Sequence, residues 1–333
     1  MFPTSTQRKS WMFSDEKDLT RLREAANRKF IAQHRKNMTD EECAQYFLSA
    51  PEESTLIKRY EYHMREFCRR FVPPMPRTVA GTAFHYLKRF YVKNSVMDYH
   101  PKEILVTCVY LACKVEEFNV SIEQFVSNIK GDTSKASNII LNNELLLMQQ
   151  LNYNLTIHNP FRPVEGFIID LKTRSNLHNP DNLRTGIDEA LDQLFLTDAC
   201  LLYAPSQLAL AATLHSARKN KENLDSYVTE TLLGPNAEKE LSDLIEIVRK
   251  IRSLLVKQLE TPSNQQIKII EKKLEACRNQ ENNPESEIYK RKMQDLLDDE
   301  EEFQAKKYAK LLKEQARKET KIIGINRIIS PSA

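Results

Sequence analysis

The chain has 333 residues, of which 49 are Lys or Arg and 46 are Asp or Glu, for a net charge of +3. That balance gives no electrostatic case for nucleic-acid binding, and the length suits about two domains of ordinary size. Only 6 residues are glycine. Their scarcity favours helices, and their isolation excludes both of the glycine-rich phosphate-binding motifs.

The cysteines and the N-terminus bear on the cellular compartment. The 6 cysteines form no CxxC pair and no dense framework, so buried thiols in a reducing compartment are expected. The N-terminus, with Pro3, Arg8 and Lys9 and no apolar core, does not resemble a signal peptide. No uncharged apolar run approaches the roughly 18 residues of a membrane span. We therefore expect a soluble intracellular protein, cytosolic or nuclear.

The predicted elements are helices throughout, because almost no segment alternates apolar and polar residues. An N-terminal segment, residues 1–50, carries a mostly polar helix over about 14–36. A first set of helices fills residues 51–159, at 51–72, 76–93, 101–117, 121–129 and 135–153. A second set fills residues 160–260, at 161–174, 181–202, 205–219, 223–233 and 237–258.

The C-terminal part changes character beyond Pro262. Residues 261–283 keep the apolar stripe of one helix, with Ile267, Ile270 and Leu274 at helical spacing. Residues 284–333 are charge-dense and poor in aromatics, which is typical of a solvated helix or of disorder. We expect a charged, partly disordered tail.

An internal repeat emerges when Tyr99-His100-Pro101 is aligned with Tyr203-Ala204-Pro205, a shift of 104 residues. Lys114 then matches Arg218, and helix order and proline positions agree over about 100 residues. Two copies of a five-helix unit are the simplest interpretation. Chance resemblance between amphipathic helices is the alternative.

The candidate site lies at the end of the helix predicted over 101–117. Its apolar run predicts burial, and Leu111-Ala112-Cys113-Lys114-Val115-Glu116-Glu117 places charges at its C-terminal end. Glu144 lies in the next strongly apolar stretch. Lys114 and Glu144 form either an internal salt bridge, worth roughly 0–1 kcal/mol, or a clamp for the backbone of a partner protein. The apolar surround of such a clamp would be Leu111, Val115, Met148 and Tyr153.

Other chemistry finds little support. The 7 histidines are scattered, and neither HExxH nor GxSxG occurs, so no catalytic, metal or cofactor site is expected. His85 on its apolar helix is typical of a core histidine. The acidic run Asp298–Glu302 is interpreted as solvated charge rather than as a metal site. Ser5 and Ser330 lie in polar termini and are candidate phosphorylation sites.

Three segments stand in the order and spacing of a cyclin box: Lys88-Arg89-Phe90-Tyr91, Leu111 to Glu117, and Glu144-Leu145-Leu146-Leu147. On these residues the chain resembles the cyclin family. Trp11-Met12-Phe13-Ser14 and the stretch from His158 to Phe167 are similar to the cyclins of the CDK-activating kinase, where CDK denotes a cyclin-dependent kinase. The resemblance covers roughly Phe2 to Cys277. It implies an all-α fold of two tandem five-helix cyclin-box repeats, flanked by N- and C-terminal helices and followed by the charged tail.

The resemblance also implies a function. Lys114 and Glu144 would bind backbone just ahead of the kinase C-helix, and Leu111, Val115, Met148 and Tyr153 would join the apolar contact. The chain would be a non-catalytic activator that holds the C-helix inward, so that the kinase aligns its own ATP-binding groups. The implied partners are cyclin-dependent kinase 7, a RING-finger assembly factor and the core of transcription factor IIH, in the nucleus. The implied substrates are CDK activation loops and the C-terminal domain of RNA polymerase II.

The sequence differs from the cell-cycle cyclins in two respects that change the contacts we expect. Val115 replaces their common phenylalanine, and residues 52–71 lack the Met-Arg-Ala-Ile-Leu motif. We therefore expect a smaller apolar contact and no docking of their short basic-hydrophobic substrate motif. Another transcriptional cyclin, a IIB-type DNA-binding initiation factor and a helical enzyme are the alternatives. The IIB type would require zinc-binding cysteines and a basic face, which the sequence lacks.

Overall fold

The computed structural model describes residues 1–234, 238–256 and 263–322, and within those ranges the chain is helical without a strand. Met1–Arg278 form one compact unit and Asn279–Ala333 form a second. Among the described helices, none combines the length and the apolar character that crossing a membrane requires.

A 3-10 turn (Phe2–Thr4) and three α-helices precede the first repeat: α1 (Thr6–Ser10), α2 (Glu16–His34) and α3 (Asp40–Tyr46). The helix predicted over 14–36 is α2, and its N-cap is Asp15, whose carboxylate accepts from the Asp18 amide at 2.8 Å. It buries Leu19 and Phe30. The short helices α1 and α3 were not predicted, because neither is long enough to show an apolar stripe.

The first repeat contains α4 (Ala50–Arg70), α5 (Arg77–Lys93), α6 (Pro101–Val115), α7 (Ile122–Val126) and α8 (Thr133–Gln150). Helix α5 lies at the centre, and Phe84, Leu87 and Phe90 on it are almost inaccessible to solvent. Helix α6 packs against α4, α5 and α8. The apolar run on α6 is therefore buried on several sides, as its composition predicted.

The second repeat contains α9 (Phe161–Arg174), α10 (Arg184–Phe195), α11 (Ala199–Leu202), α12 (Pro205–Lys219), a π-helical turn (Tyr227–Leu232) and α13 (Glu238–Val256). The single helix predicted over 181–202 is wrong. Thr197 breaks it, since its hydroxyl donates to the Leu194 carbonyl at 2.7 Å and accepts from the Ala199 amide at 3.2 Å.

The two repeats share their internal geometry, which confirms the predicted tandem-repeat fold in the part of the chain described. Helices α6 and α12 have the same length and each begins at the aligned proline. Each is followed by a residue of positive φ, Glu117 at 56° and Lys221 at 62°. The next amide, of Phe118 or Glu222, then donates to a carbonyl five positions back at 2.9 Å in both repeats. The same helix-ending motif is thus used twice.

Charged side chains tie the N-terminal helices and the repeats together. Lys88 on α5 donates to Glu61 on α4 at 2.6 Å, and both side chains are nearly fully buried. Arg23 on α2 binds both carboxylate oxygens of Asp198 at 2.7 and 2.8 Å. Burial raises the pKa of Asp198, but the Arg23 hydrogen bonds and the Lys88 and Arg23 charges outweigh it and lower that pKa well below its usual range.

Helix α14 (Asn264–Cys277) packs on the N-terminal helix α3 and on α4 of the first repeat. Its predicted stripe, Ile267, Ile270 and Leu274, is buried. Arg278 directly after it pairs with Glu103 in the first turn of α6 at 2.6 Å.

In the second unit, α15 (Glu287–Ile322) is one long helix, in a stretch for which the sequence left a solvated helix and disorder as the two interpretations. It exposes apolar side chains such as Phe303 and Tyr308. Ser330 lies outside the described residues.

Candidate functional site

Lys114 and Glu144 meet on the surface, where the last turn of α6 lies beside α8. The Lys114 ammonium donates to both carboxylate oxygens of Glu144, at 2.7 and 2.8 Å. It also lies 4.8 Å from the centre of the Tyr110 ring. The Lys114 side chain is 46% exposed and that of Glu144 is 16% exposed. The pair is therefore open to a partner and is not enclosed within the fold.

The position of this pair is fixed by the helices beneath it. Cys113, next to Lys114, is buried, and α6 is held between its neighbours. The left-handed residue Glu117 ends α6 at a defined point. Lys114 thus projects from a rigid base, as expected for a contact site.

The predicted apolar surround needs one correction. Leu111 is only 2% exposed and belongs to the core, because α6 packs on three helices. Val115 and Met148 are half-buried and pack against the core from the surface. Tyr153 is 59% exposed just after α8, with a φ of 56°. The surface around the pair therefore contains Val115, Met148 and Tyr153 but not Leu111.

Two apolar residues of α8 were missed. Leu141 and Leu145 are 48% and 55% exposed, and with Met148 they stand at helical spacing along one face of α8. An adjacent face of α8 buries Ile140 and Leu147, and Leu151 directly after the helix is buried on the same side. The signal was in the sequence, since the stretch 139–151 has more apolar residues than one buried face requires. We call the row Leu141, Leu145 and Met148 the α8 apolar row.

This surface can bind a peptide backbone beside an apolar side chain. The ammonium of Lys114 has three N–H donors, and the carboxylate of Glu144 has acceptor sites beyond the two that the lysine uses. Together they can satisfy carbonyl and amide groups of a partner. The α8 apolar row can bury the partner's apolar residues next to those polar contacts.

The histidines considered as candidate site residues have roles in the fold. His85 is buried, and burial together with the nearby charges of Arg89 and Lys88 holds its pKa well below the usual value. His100 caps α6 by accepting the Lys102 amide at 3.1 Å. Burial, with the charges of Arg278 and Lys102, lowers the pKa of His100 to about 3. Both histidines are therefore neutral at pH 7.

The cysteines and Ser5 complete the predicted set. All the cysteines are buried free thiols. Ser5 caps α1, since its hydroxyl accepts from the Arg8 amide at 3.3 Å and donates to the Phe2 carbonyl at 2.7 Å. Within the described ranges, no cluster of three or more His, Cys, Asp or Glu side chains could hold a metal ion.

Both repeats match models of one family. Residues 33–156 match the cyclin N-terminal domain, and residues 159–256 match the cyclin C-terminal domain. A Xenopus laevis protein named Cyclin-H is 43% identical over 285 residues, which cover 84% of this chain and 88% of that protein. The chain therefore belongs to the cyclin family.

Further relatives narrow the position within the family. Cyclin-H1-1 of Arabidopsis thaliana is 33% identical over 306 residues, which cover 83% of this chain and 88% of that protein. A chain in the structure of the CAK complex from Chaetomium thermophilum bound to ATP-gamma-S matches with a TM-score of 0.69 at 25% identity. That match covers 83% of this chain and 88% of the other. These similarities place the chain in the cyclin H branch.

Proposed function

We infer that this chain is the activating subunit of a cyclin-dependent kinase, within a CDK-activating kinase complex. Its similarity to two proteins named cyclin H, and to a chain solved within a CAK complex, supports this class of function. The observation that carries the kinase contact is the exposed Lys114–Glu144 pair beside the α8 apolar row.

The Lys114–Glu144 pair contributes little to the stability of the fold. An exposed lysine–carboxylate pair contributes only about 0–1 kcal/mol to stability. The exposed leucines on α8 contribute less to the stability of the fold than buried leucines would, because they bury less apolar area. A rigid polar pair next to exposed apolar side chains is typical of a protein-binding site.

The mechanism that fits this surface is allosteric activation. Lys114 and Glu144 bind backbone ahead of the kinase C-helix, and the α8 apolar row, Val115 and Tyr153 pack on the helix itself. The surface binds the active arrangement of that helix more tightly than the inactive one, so the active population rises. The chain contributes contacts and no chemistry, and the kinase supplies the groups that transfer phosphate.

The finer assignments follow from the cyclin H branch. The proposed kinase is cyclin-dependent kinase 7, and a RING-finger assembly factor completes the complex. The complex acts on CDK activation loops and, within transcription factor IIH, on the C-terminal domain of RNA polymerase II. The proposed location is the nucleus.

Reconstitution tests this proposal. The full chain is mixed with purified cyclin-dependent kinase 7, with and without the RING-finger factor, and transfer of phosphate to a CDK activation loop is measured. We expect phosphate transfer to rise with the concentration of this chain until it saturates. A kinase that forms no complex with the chain, or whose rate does not change on binding, would contradict the proposal.

A further inference from the structure

A buried hydroxyl connects the end of α6 to the segment between α8 and α9, residues 151–160, which links the two repeats. Thr82 on α5 is fully buried, and its hydroxyl donates to the Glu116 carboxylate at 2.6 Å. The same hydroxyl accepts from the Asn159 side-chain amide at 3.0 Å. Glu116 is the residue directly after α6, two positions beyond Lys114. The hydroxyl therefore holds a group beside the candidate site.

The linker residue is itself held in place from two sides. The Asn159 amide also donates to the Thr78 carbonyl at 3.3 Å. Gly81 lies against it so closely that a Cβ there would be 2.4 Å from the Asn159 Oδ1 atom. Only glycine leaves room for this contact.

The residue before Asn159 is fixed by the N-terminal helix. Gln7 of α1 is 1% exposed. Its side chain accepts from the His158 amide at 2.7 Å and donates to the His158 carbonyl at 3.4 Å. The linker therefore offers Thr82 a firmly placed amide.

We propose that Thr82, oriented by Asn159, is a positioning residue for the kinase-binding surface. This inference rests on the proposed function. The last turn of a helix frays more readily than its middle, and a side chain anchored to the core resists that fraying. The Thr82 hydrogen bond to the Glu116 carboxylate is short and charge-assisted, which makes it stronger than a neutral one. It fixes the turn from which Lys114 projects, so that the ammonium meets the partner's backbone without first being ordered.

Thr82 does not contact the proposed partner, so its effect must pass through Glu116. The buried side chain lies beneath the surface, and Lys114 hydrogen-bonds with Glu144 instead. Replacing Thr82 with valine keeps the volume and removes the hydroxyl. Replacing it with serine keeps the hydroxyl and removes a methyl group. The two variants separate the hydrogen bond from packing.

The test compares Thr82→Val and Thr82→Ser in calorimetric titrations with cyclin-dependent kinase 7. We expect Thr82→Val to weaken binding about three- to tenfold, the effect of one lost hydrogen bond, and Thr82→Ser to bind nearly as well as the wild type. Binding by Thr82→Val equal to the wild type would overturn the inference. An equal loss in both variants would also overturn it, because packing would then be the cause.

A double-mutant cycle tests whether Thr82 affects kinase binding through Glu116. If Thr82 acts through Glu116, adding Thr82→Val to Glu116→Ala weakens kinase binding no further. Additive losses would contradict the inference.

A second measurement needs no kinase. In the free chain, hydrogen exchange of the amides at 116–118 should be faster in Thr82→Val than in the wild type, while exchange in α12 stays unchanged. Equal exchange at 116–118 would overturn the inference. Faster exchange without any kinase binding by the wild type would instead reject the proposed function and leave the anchoring intact.

Discussion

At the scale of single residues, the second repeat has an exposed ion pair comparable to Lys114–Glu144, although it does not lie at the aligned positions. Lys219 at the end of α12 donates to Glu189 on α10 at 2.8 Å, a distance like that of the first pair, with the glutamate before the lysine in sequence instead of after it. Both pairs are on the surface, so each contributes little to folding. Only the first lies beside exposed leucines of α8. The second pair is therefore a natural control for the first.

The α8 apolar row leads to a prediction for Leu145. We expect Leu145→Ala to weaken kinase binding by about 1–2 kcal/mol. Leu145 is half-exposed in the free chain and becomes buried in the interface, and alanine is too small to make most of that apolar contact. The free energy of unfolding should change by less than about 0.5 kcal/mol, since the side chain is 55% exposed in the free chain. Isothermal titration and urea unfolding measure the two quantities.

Ile169 provides the matched control, because it is 62% exposed on α9 of the second repeat. Ile169→Ala should leave kinase affinity unchanged. Equal losses in the Leu145 and Ile169 variants would count against a contact confined to the first repeat.

Glu53 is a buried carboxyl group with a pH-dependent role. It is 5% exposed on α4 and accepts the Ser95 hydroxyl. Burial raises the pKa of Glu53 to about 7, although hydrogen bonds from Ser95, Asn27 and the Val96 amide lower it. The folded state therefore binds the proton more tightly than the unfolded state, whose carboxyl has its ordinary value near 4.5. The stability contributed by Glu53 is full below about pH 4.5 and is lost as pH rises through 7.

Glu53→Gln should remove this dependence, because an amide does not titrate. We expect the free energy of unfolding of the variant, relative to the wild type, to rise by about 1–3 kcal/mol between pH 5 and pH 8. Urea unfolding at the two pH values measures it, and the other titrating groups cancel in the difference. A difference that is the same at both pH values would show that Glu53 is ionised in the fold throughout.

At the scale of elements, the long helices could be predicted and the short ones could not. Helices α4, α5 and α6 have apolar stripes and proline or capping signals at their starts, so their sequences specify them locally. Helices α1 and α3 are too short for a periodic signal. The break at Thr197 gives no periodic signal either, because it rests on hydrogen bonds between the Thr197 hydroxyl and neighbouring backbone groups.

The candidate site shows the same division. The charges of Lys114 and Glu144 could be located because each follows or interrupts an apolar run. The burial of Leu111 could not be predicted, because it depends on which face of α6 meets α4, α5 and α8. The hydrogen bonds of Thr82 with Glu116 and Asn159 could not be predicted either, since they join residues from α5, from the end of α6 and from the linker.

Helix α15 belongs to a separate unit, which leads to a prediction for truncation. A chain that ends at Pro284 should activate the kinase as well as the full chain, because the buried stripe of α14 ends before that residue. The truncated chain is compared with the full chain in a phosphate-transfer assay. Loss of activation on truncation would show that α15 takes part in kinase binding.

At the scale of the whole molecule, one scaffold occurs twice and only one copy carries the proposed contact. The positions of Lys114 and Glu117 in the first repeat are taken by Arg218 and Lys221 in the second. The helix-ending geometry is the same in both. Helix α2 binds the second repeat through Arg23 and Asp198, and α1 binds the linker between the repeats through Gln7 and His158. The second repeat and the N-terminal helices thus support the surface that the first repeat presents.

The most direct test of this asymmetry compares the two matched ion pairs. Cyclin-dependent kinase 7 is titrated with Lys114→Ala/Glu144→Ala and with Lys219→Ala/Glu189→Ala, after circular dichroism has confirmed equal helicity. We predict that the first variant binds the kinase at least about tenfold more weakly, a loss of about 1.4 kcal/mol, and that the second binds like the wild type. Equal affinity of the two variants would contradict the proposal that the first repeat holds the kinase through Lys114 and Glu144.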